Sequence, residues 1–188
     1  LLMTKAGEIF PGIPVVLYGH SMGGNLVLNY IISRKLKNIP LIVTSPWLKL
    51  AFEPPAFKLF MAKLVRKILP GLLQSTGLKT KDLTKNNSVV DKYENDELVH
   101  GKISVNMFFE MYQAGYRVLD NAEKIKCPVL LMHGTEDGIC SWQGSSELAS
   151  KAKGNITFKT WEGLYHELHN EAEQDKVFMF IISWLEKL

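Results

Sequence analysis

Four short apolar runs punctuate the chain, and each gives way to a turn and then to a segment of helical periodicity. Residues 13–18, an Ile-Pro-Val-Val-Leu-Tyr run, end abruptly in Gly19-His20-Ser21-Met22-Gly23-Gly24, which predicts a strand running straight into a turn. From Met22 to Ser33, Leu26, Val27, Tyr30 and Ile31 recur at helical spacing, and residues 41–43 form a second apolar run after Pro40. Residues 127–132 make a third strand, closed by His133-Gly134, with a helix expected over 143–153. A fourth strand is expected over 155–161 and an amphipathic helix over 171–187. The first residues, Leu1 to Glu8, read as the tail of an amphipathic helix. Strands alternating with helices at these spacings predict an α/β fold: a parallel sheet with helices on its faces.

Between the second and third strands the pattern changes. One predicted helix puts Phe57, Phe60, Met61, Leu64, Val65 and Ile68 on a single face, with Lys58, Lys63, Arg66 and Lys67 along the remainder. Such a stripe suits either packing against the sheet domain, with the basic face solvated, or a lid that offers lipid a basic amphipathic surface. Residues 86–100 are polar and read as a loop, and 105–119 as another helix. The interval is therefore an insertion, with the core expected over 1–46 and 123–188 and a helical cap over 47–122.

Composition narrows the function. A chain of 188 residues, 46% hydrophobic and 22% charged, is a globular domain with an insertion and not a disordered or low-complexity segment. A net charge of +3 is no nucleic-acid footprint. The two cysteines, Cys127 and Cys140, are too few for a disulfide scaffold and lack a metal-ligand spacing. No apolar run approaches the roughly 18 residues of a spanning helix, and the opening residues carry no leader pattern. A cytoplasmic protein, peripheral to membrane at most, is the expectation.

The chemistry centres on the G-x-S-x-G string of residues 19–23. A tight strand-to-helix turn forces its serine into strained backbone geometry and needs neighbours without bulk, a room expected from Gly19 and Gly23. The helix that begins at Met22 then aims its free N–H groups at the space above Ser21, where the Met22 N–H would meet an oxyanion. A serine hydroxyl needs a base, and the base an orienting carboxylate. Asp137, with Glu136 as competitor, follows the third strand, and His166 follows the fourth. The order Ser21, Asp137, His166 is the one expected when all three come from successive strand ends. His20, His100 and His133 are less well placed. His166 and His169 would make a metal pair only with a third ligand, and none stands at a recognisable spacing. No cofactor or metal is expected.

The stretches VVLYGHSMGG at 15–24, PVLLMHGTED at 128–137 and YHELHNE at 165–171 resemble the three motif blocks of monoacylglycerol lipases and lysophospholipases of the α/β-hydrolase superfamily. NDELVH at 95–100 resembles the acidic segment of their cap, with Glu97 where that family often has proline. The resemblance implies the α/β-hydrolase fold with a helical cap, Ser21 as nucleophile, Asp137 as acid and His166 as base. It implies cleavage of single-chain lipid esters through an acyl-enzyme, with Trp47, Phe52, Phe57, Phe60 and Met61 lining an acyl tunnel or forming the cap core. A carboxylesterase or serine aminopeptidase on the same fold is the alternative.

Members of that family carry a further amino-terminal portion, with additional strands and a second oxyanion donor; only the later strands are legible here. The expectation is thus a part of a longer hydrolase, or a chain whose sheet a second chain completes. Without that portion, a non-catalytic fragment that binds acyl chains or membrane is the remaining reading.

Overall fold

A computed structural model describes residues 2–188; Leu1 and the side chain of Lys58, both part of the sequence expectations, lie outside the described residues. Helix α1 (Leu2–Ile9) leads to β1 (Leu17–His20), α2 (Met22–Arg34) and β2 (Leu41–Thr44). After the insertion come β5 (Val129–Gly134), α6 (Trp142–Lys151), β6 (Ile156–Trp161) and α7 (Gln174–Leu185). The insertion holds α3 (Ala56–Ile68), β3 (Leu73–Ser75), α4 (Asn87–Glu94), β4 (Lys102–Ser104) and α5 (Val105–Asp120).

The main sheet runs β1-β2-β5-β6 and every pairing is parallel, so all four carboxyl ends open on one edge. Four parallel strands are what the resemblance to later α/β-hydrolase strands implies. Side-chain alternation divides the core. Leu41, Val43, Val129 and Leu131 face a layer that includes Leu28 and Ile31 of α2, Val118 and Leu119 of α5 and Leu148 of α6. Ile42, Leu130 and Met132 face Leu168 and, on α7, Val177 and Trp184. Both faces of the two central strands are covered, which is why they read as unbroken apolar runs.

Strand limits follow the partners more than the apolar runs. β1 begins at Leu17, not at residue 13, because Leu17 is in register with Leu41 and the Leu17 N–H donates to the carbonyl of Pro40. Pro40 has no N–H to extend the ladder further. Likewise β5 starts after Pro128 and continues through His133 and Gly134, opposite Thr160 and Trp161. The expected helix over 171–187 is shorter, Gln174–Leu185, after a 3₁₀ turn at Leu168–Asn170.

Inside the insertion two expectations are corrected. Residues 86–100 are not all loop: α4 (Asn87–Glu94) starts there with the Asn86 side chain accepting from the Ser88 N–H at 3.2 Å, a regular N-cap, and only 95–100 are irregular. Its two turns hold too few apolar residues, Val89 and Val90, to show a period. β3 and β4 form an antiparallel pair that short polar strands separated by 26 residues did not announce. The α3 stripe is not packed away, since Phe57 is 72% and Ile68 80% exposed. Arg66 ties α3 to α5, bonding Glu110 at 2.5 Å and lying over the Phe109 ring. Among the described residues, no helix is long and apolar enough to cross a membrane.

Candidate active site

The turn from β1 to α2 places Ser21 at φ 53° and ψ −118°, a conformation that costs a non-glycine residue about 1–3 kcal/mol. Its backbone is clamped from three sides. The Ser21 N–H donates to the carbonyl of Thr44 at 3.0 Å, while its own carbonyl accepts from Asn25 at 3.2 Å and Trp47 at 3.0 Å. Asn25 is fully buried and holds the same neighbourhood together, donating to the carbonyls of Trp47 and Met111. A Cβ on Gly19 would stand 2.6 Å from the carbonyl oxygen of Gly23 and 2.7 Å from Val27 Cγ2, so the room expected there is required. At Gly23 the expectation fails, because a Cβ there would meet nothing within 4 Å; the crowded neighbour is Gly24, against Pro46 at 2.9 Å. Met22 heads α2, where first-turn N–H groups have no acceptor within the helix.

Asp137 lies in the loop after β5, buried, with both oxygens engaged. Oδ1 accepts from the N–H groups of Ile139 at 2.8 Å and Cys140 at 2.9 Å. Oδ2 accepts from His166 Nδ1 at 2.7 Å and His133 Nε2 at 3.0 Å. Burial alone would raise its pKa, yet the hydrogen bonds from His133 and His166 prevail and hold the carboxyl below the usual carboxylate range. Glu136, the competing carboxylate, is 58% exposed and faces Lys85 at 3.7 Å, turned away from both histidines' shared acceptor.

His166 is 2% exposed. Donating through Nδ1 to Asp137 fixes its tautomer when neutral, leaving Nε2 as an acceptor. Its carbonyl accepts from the Ser45 hydroxyl at 2.8 Å. The His20 ring packs between His166 and His169, at centroid distances of 4.7 and 5.1 Å. Burial, and then the neighbouring imidazoles of His166 and His169, lower the His20 pKa to about 3, so this ring stays neutral. Among the described residues no group of three His, Cys, Asp or Glu side chains is arranged to hold a metal ion.

The Asp137–His166 contact is closed, whereas the Ser21 hydroxyl makes no hydrogen bond to His166; its polar neighbour is the Cys140 thiol. Burial, and then the charge of Asp137, push that thiol well above its ordinary pKa, so it stays protonated. A carboxylate-oriented imidazole with a free Nε2, beside a strained serine at a helix start, is suited to proton transfer to and from a hydroxyl.

Sequence reasoning set His133 aside as less well placed and left out Thr44 and Ser45. The signal for His133 was its place four residues before Asp137 at a strand end. Nothing local marks Thr44 and Ser45, whose roles come from the β2 end lying between β1 and β5.

Residues 1–173 match the family described as Hydrolase_4, serine aminopeptidase S33. The human monoglyceride lipase is 34% identical over 185 residues, 95% of this chain and 60% of that protein. A putative monoglyceride lipase of Schizosaccharomyces pombe is 31% identical over 181 residues, 94% of this chain and 47% of that protein. The crystal structure of Paleococcus ferrophilus monoacylglycerol lipase superposes with a TM-score of 0.88 at 33% identity, covering 98% of this chain and 72% of that one. The chain thus spans about half of the length of the curated relatives it matches. With the parallel sheet, the serine turn and a family match that runs through nearly its whole length, the chain belongs to the Hydrolase_4 (serine aminopeptidase, S33) family of α/β-hydrolases.

Proposed function

We propose that this chain is part of a serine ester hydrolase that cleaves single-chain lipid esters. The observation that carries the reading is the strained Ser21 turn lying beside a buried, closed Asp137–His166 pair. In this reading Ser21 Oγ attacks the ester carbonyl while His166 Nε2 accepts its proton, and the Met22 N–H receives the oxyanion. His166 returns the proton to the leaving alcohol, and Asp137 stabilises the imidazolium throughout. Water, deprotonated by His166, then clears the acyl group from Ser21.

The lipid substrate rests on the relatives named monoglyceride or monoacylglycerol lipase. It is supported by the exposed Phe57, Phe60 and Ile68 of α3, which stand on one helix with Lys63, Arg66 and Lys67 and suit peripheral contact with a lipid surface through the insertion. β1 pairs with β2 alone among the described strands. A further segment of a longer protein, or a second chain, completes the sheet on its free side in this reading and brings the second oxyanion donor. One such donor is worth about 10²–10³ in turnover.

The test is intact-mass analysis with a fluorophosphonate probe, beside assays on monoacylglycerol, short aryl esters and prolyl amides. The expected result is one adduct on the parent and none on Ser21→Ala or His166→Ala, with monoacylglycerol turned over in preference to prolyl amides. Preference for prolyl amides would move the reading to an aminopeptidase. Absence of any adduct, with salt-sensitive liposome binding that survives Ser21→Ala, would replace it with a non-catalytic acyl- or membrane-binding role.

A further inference from the structure

Glu171 is a carboxylate only 1% exposed, and its hydrogen-bond partners are backbone N–H groups. The Tyr165 N–H donates to Oε1 at 3.0 Å, and the Lys85 N–H reaches both oxygens at 3.3 Å. Taking a carboxylate out of water is costly unless its oxygens are engaged, so the site is built around these two amides. They come from different parts of the fold. Tyr165 immediately precedes His166, whereas Lys85 belongs to the insertion between β2 and β5.

Two further bonds join the same segments. The Glu167 N–H donates to the carbonyl of Leu83 at 2.7 Å, and the Thr84 hydroxyl donates to the carbonyl of Asn170 at 3.0 Å. Leu83 and Thr84 are 3% and 2% exposed, and their partners Glu167 and Asn170 are half-buried. The Lys85 side chain adds little: its ammonium lies 5.0 Å from the Tyr165 ring centroid and 3.7 Å from Glu136, both side chains being half-exposed. Residues 83–85 therefore form a strap across the loop that carries His166. That loop is pinned on the far side by Ser45 on the His166 carbonyl and by Asp137 on its ring.

We propose that Glu171 is a positioning residue that fixes the His166 loop through the Tyr165 N–H and couples its placement to the insertion through the Lys85 N–H. The proposal rests on the reading of His166 as the base. Release of the strap, by loss of Glu171 or by movement of the insertion, lets residues 165–166 shift relative to Ser21. A displacement near 1 Å at a reacting group lowers turnover by about 100-fold.

The test compares the parent with Glu171→Ala, Glu171→Gln and Thr84→Val in the same chain. Two readouts are taken: kcat and KM on a short aryl ester, and the low-field NMR resonance of the His166 Nδ1 proton that bonds Asp137. Expected for Glu171→Ala is a fall in kcat of about 10- to 100-fold with KM nearly unchanged, and a broadened or lost resonance. Glu171→Gln keeps one acceptor oxygen for the Tyr165 N–H and restores most of both. Thr84→Val, close in shape, removes the hydroxyl that donates to the Asn170 carbonyl and accepts from the Asn86 N–H at 3.2 Å, and lowers kcat by about 3-fold. Should Glu171→Ala fail to fold, Thr84→Val decides the coupling and Glu171→Gln the need for an acceptor at this site. Unchanged kcat and an unchanged resonance in folded Glu171→Ala, or in Thr84→Val where that variant decides, would overturn the proposal. If the parent itself neither hydrolyses esters nor takes the fluorophosphonate label, the hydrolase reading fails, and the resonance alone decides the positioning role.

Discussion

His133 and His166 converge on a single oxygen: Oδ2 of Asp137 lies 3.0 Å from His133 Nε2 and 2.7 Å from His166 Nδ1. His133 Nε2 also donates to the Cys140 carbonyl at 3.1 Å, which can only accept. Nε2 therefore carries a proton, and Nδ1 is hydrogen-bonded to the Ser145 hydroxyl at 2.7 Å. A fully buried imidazole thus holds, through its Nε2 proton, the carboxylate that orients the predicted base.

Replacing His133 by Ala removes one of four donors to Asp137 and leaves a cavity. The expected outcome is a loss of about 2–3 kcal/mol in urea denaturation and a fall in kcat of about 10-fold, KM being nearly unchanged. His133→Gln, which keeps a side-chain N–H, should recover much of the activity. Equal activity in His133→Ala and the parent would show that His166 alone suffices to hold Asp137.

Backbone strain at Ser21 gives a prediction about stability that is independent of any substrate. At φ 53° and ψ −118° glycine is relaxed and alanine is not, while glycine loses about 0.5–1 kcal/mol through its freer unfolded chain. Relief of about 1–3 kcal/mol of strain should outweigh that loss. Ser21→Gly is therefore expected to be more stable than Ser21→Ala by about 1 kcal/mol. Chemical denaturation of the two variants, run side by side, reads the difference; a more stable alanine variant contradicts it.

Glycines four residues apart in the same turn should behave oppositely. Gly19→Ala drives a Cβ to 2.6 Å from a backbone oxygen and is expected to cost about 3 kcal/mol or more, or to prevent folding. Gly23→Ala has nothing within 4 Å of the new atom and lies inside α2, so it should be neutral or gain about 1 kcal/mol. Thermal melts of the two variants decide it.

The half-buried His20 ring links folding to pH. Its pKa falls from 6.5 to about 3 on folding, so between those values the unfolded chain binds a proton that the folded chain refuses. Stability from this group is complete above the unfolded value and is lost as pH falls through the window, by at most about 1.4 kcal/mol per pH unit. Asp137 acts lower, since a carboxyl held below its usual range loses its contribution only once its unfolded form is protonated. His20→Asn, unable to titrate, should therefore close its gap in Tm to the parent as pH falls from about 7 to about 4.5. A gap that stays constant with pH would place the titrating group elsewhere.

Much of this protein was legible in the chain because it is written locally. An apolar run followed by Gly-His-Ser-Met-Gly and a helical period specifies strand, strained turn and helix within some twenty residues, and the glycine at 19 is demanded by contacts no further than Val27. The order of Ser21, Asp137 and His166 at strand ends follows from the same short-range signals, as do the covered central strands.

Tertiary structure decided the rest, because it depends on which distant segments the sheet register brings together. Glu136 and Asp137 are adjacent in the chain, yet one is turned to solvent and the other buried between His133 and His166, a choice made by the packing of β5 against β6. The exposed face of α3, the short α4 and the grip of Glu171 on Lys85, 86 residues away, have no local signature. A sequence window records backbone preference and side-chain period, and those settle how each element starts and stops; whether a polar group ends up solvated, paired or buried on backbone amides is settled only when the elements close around it.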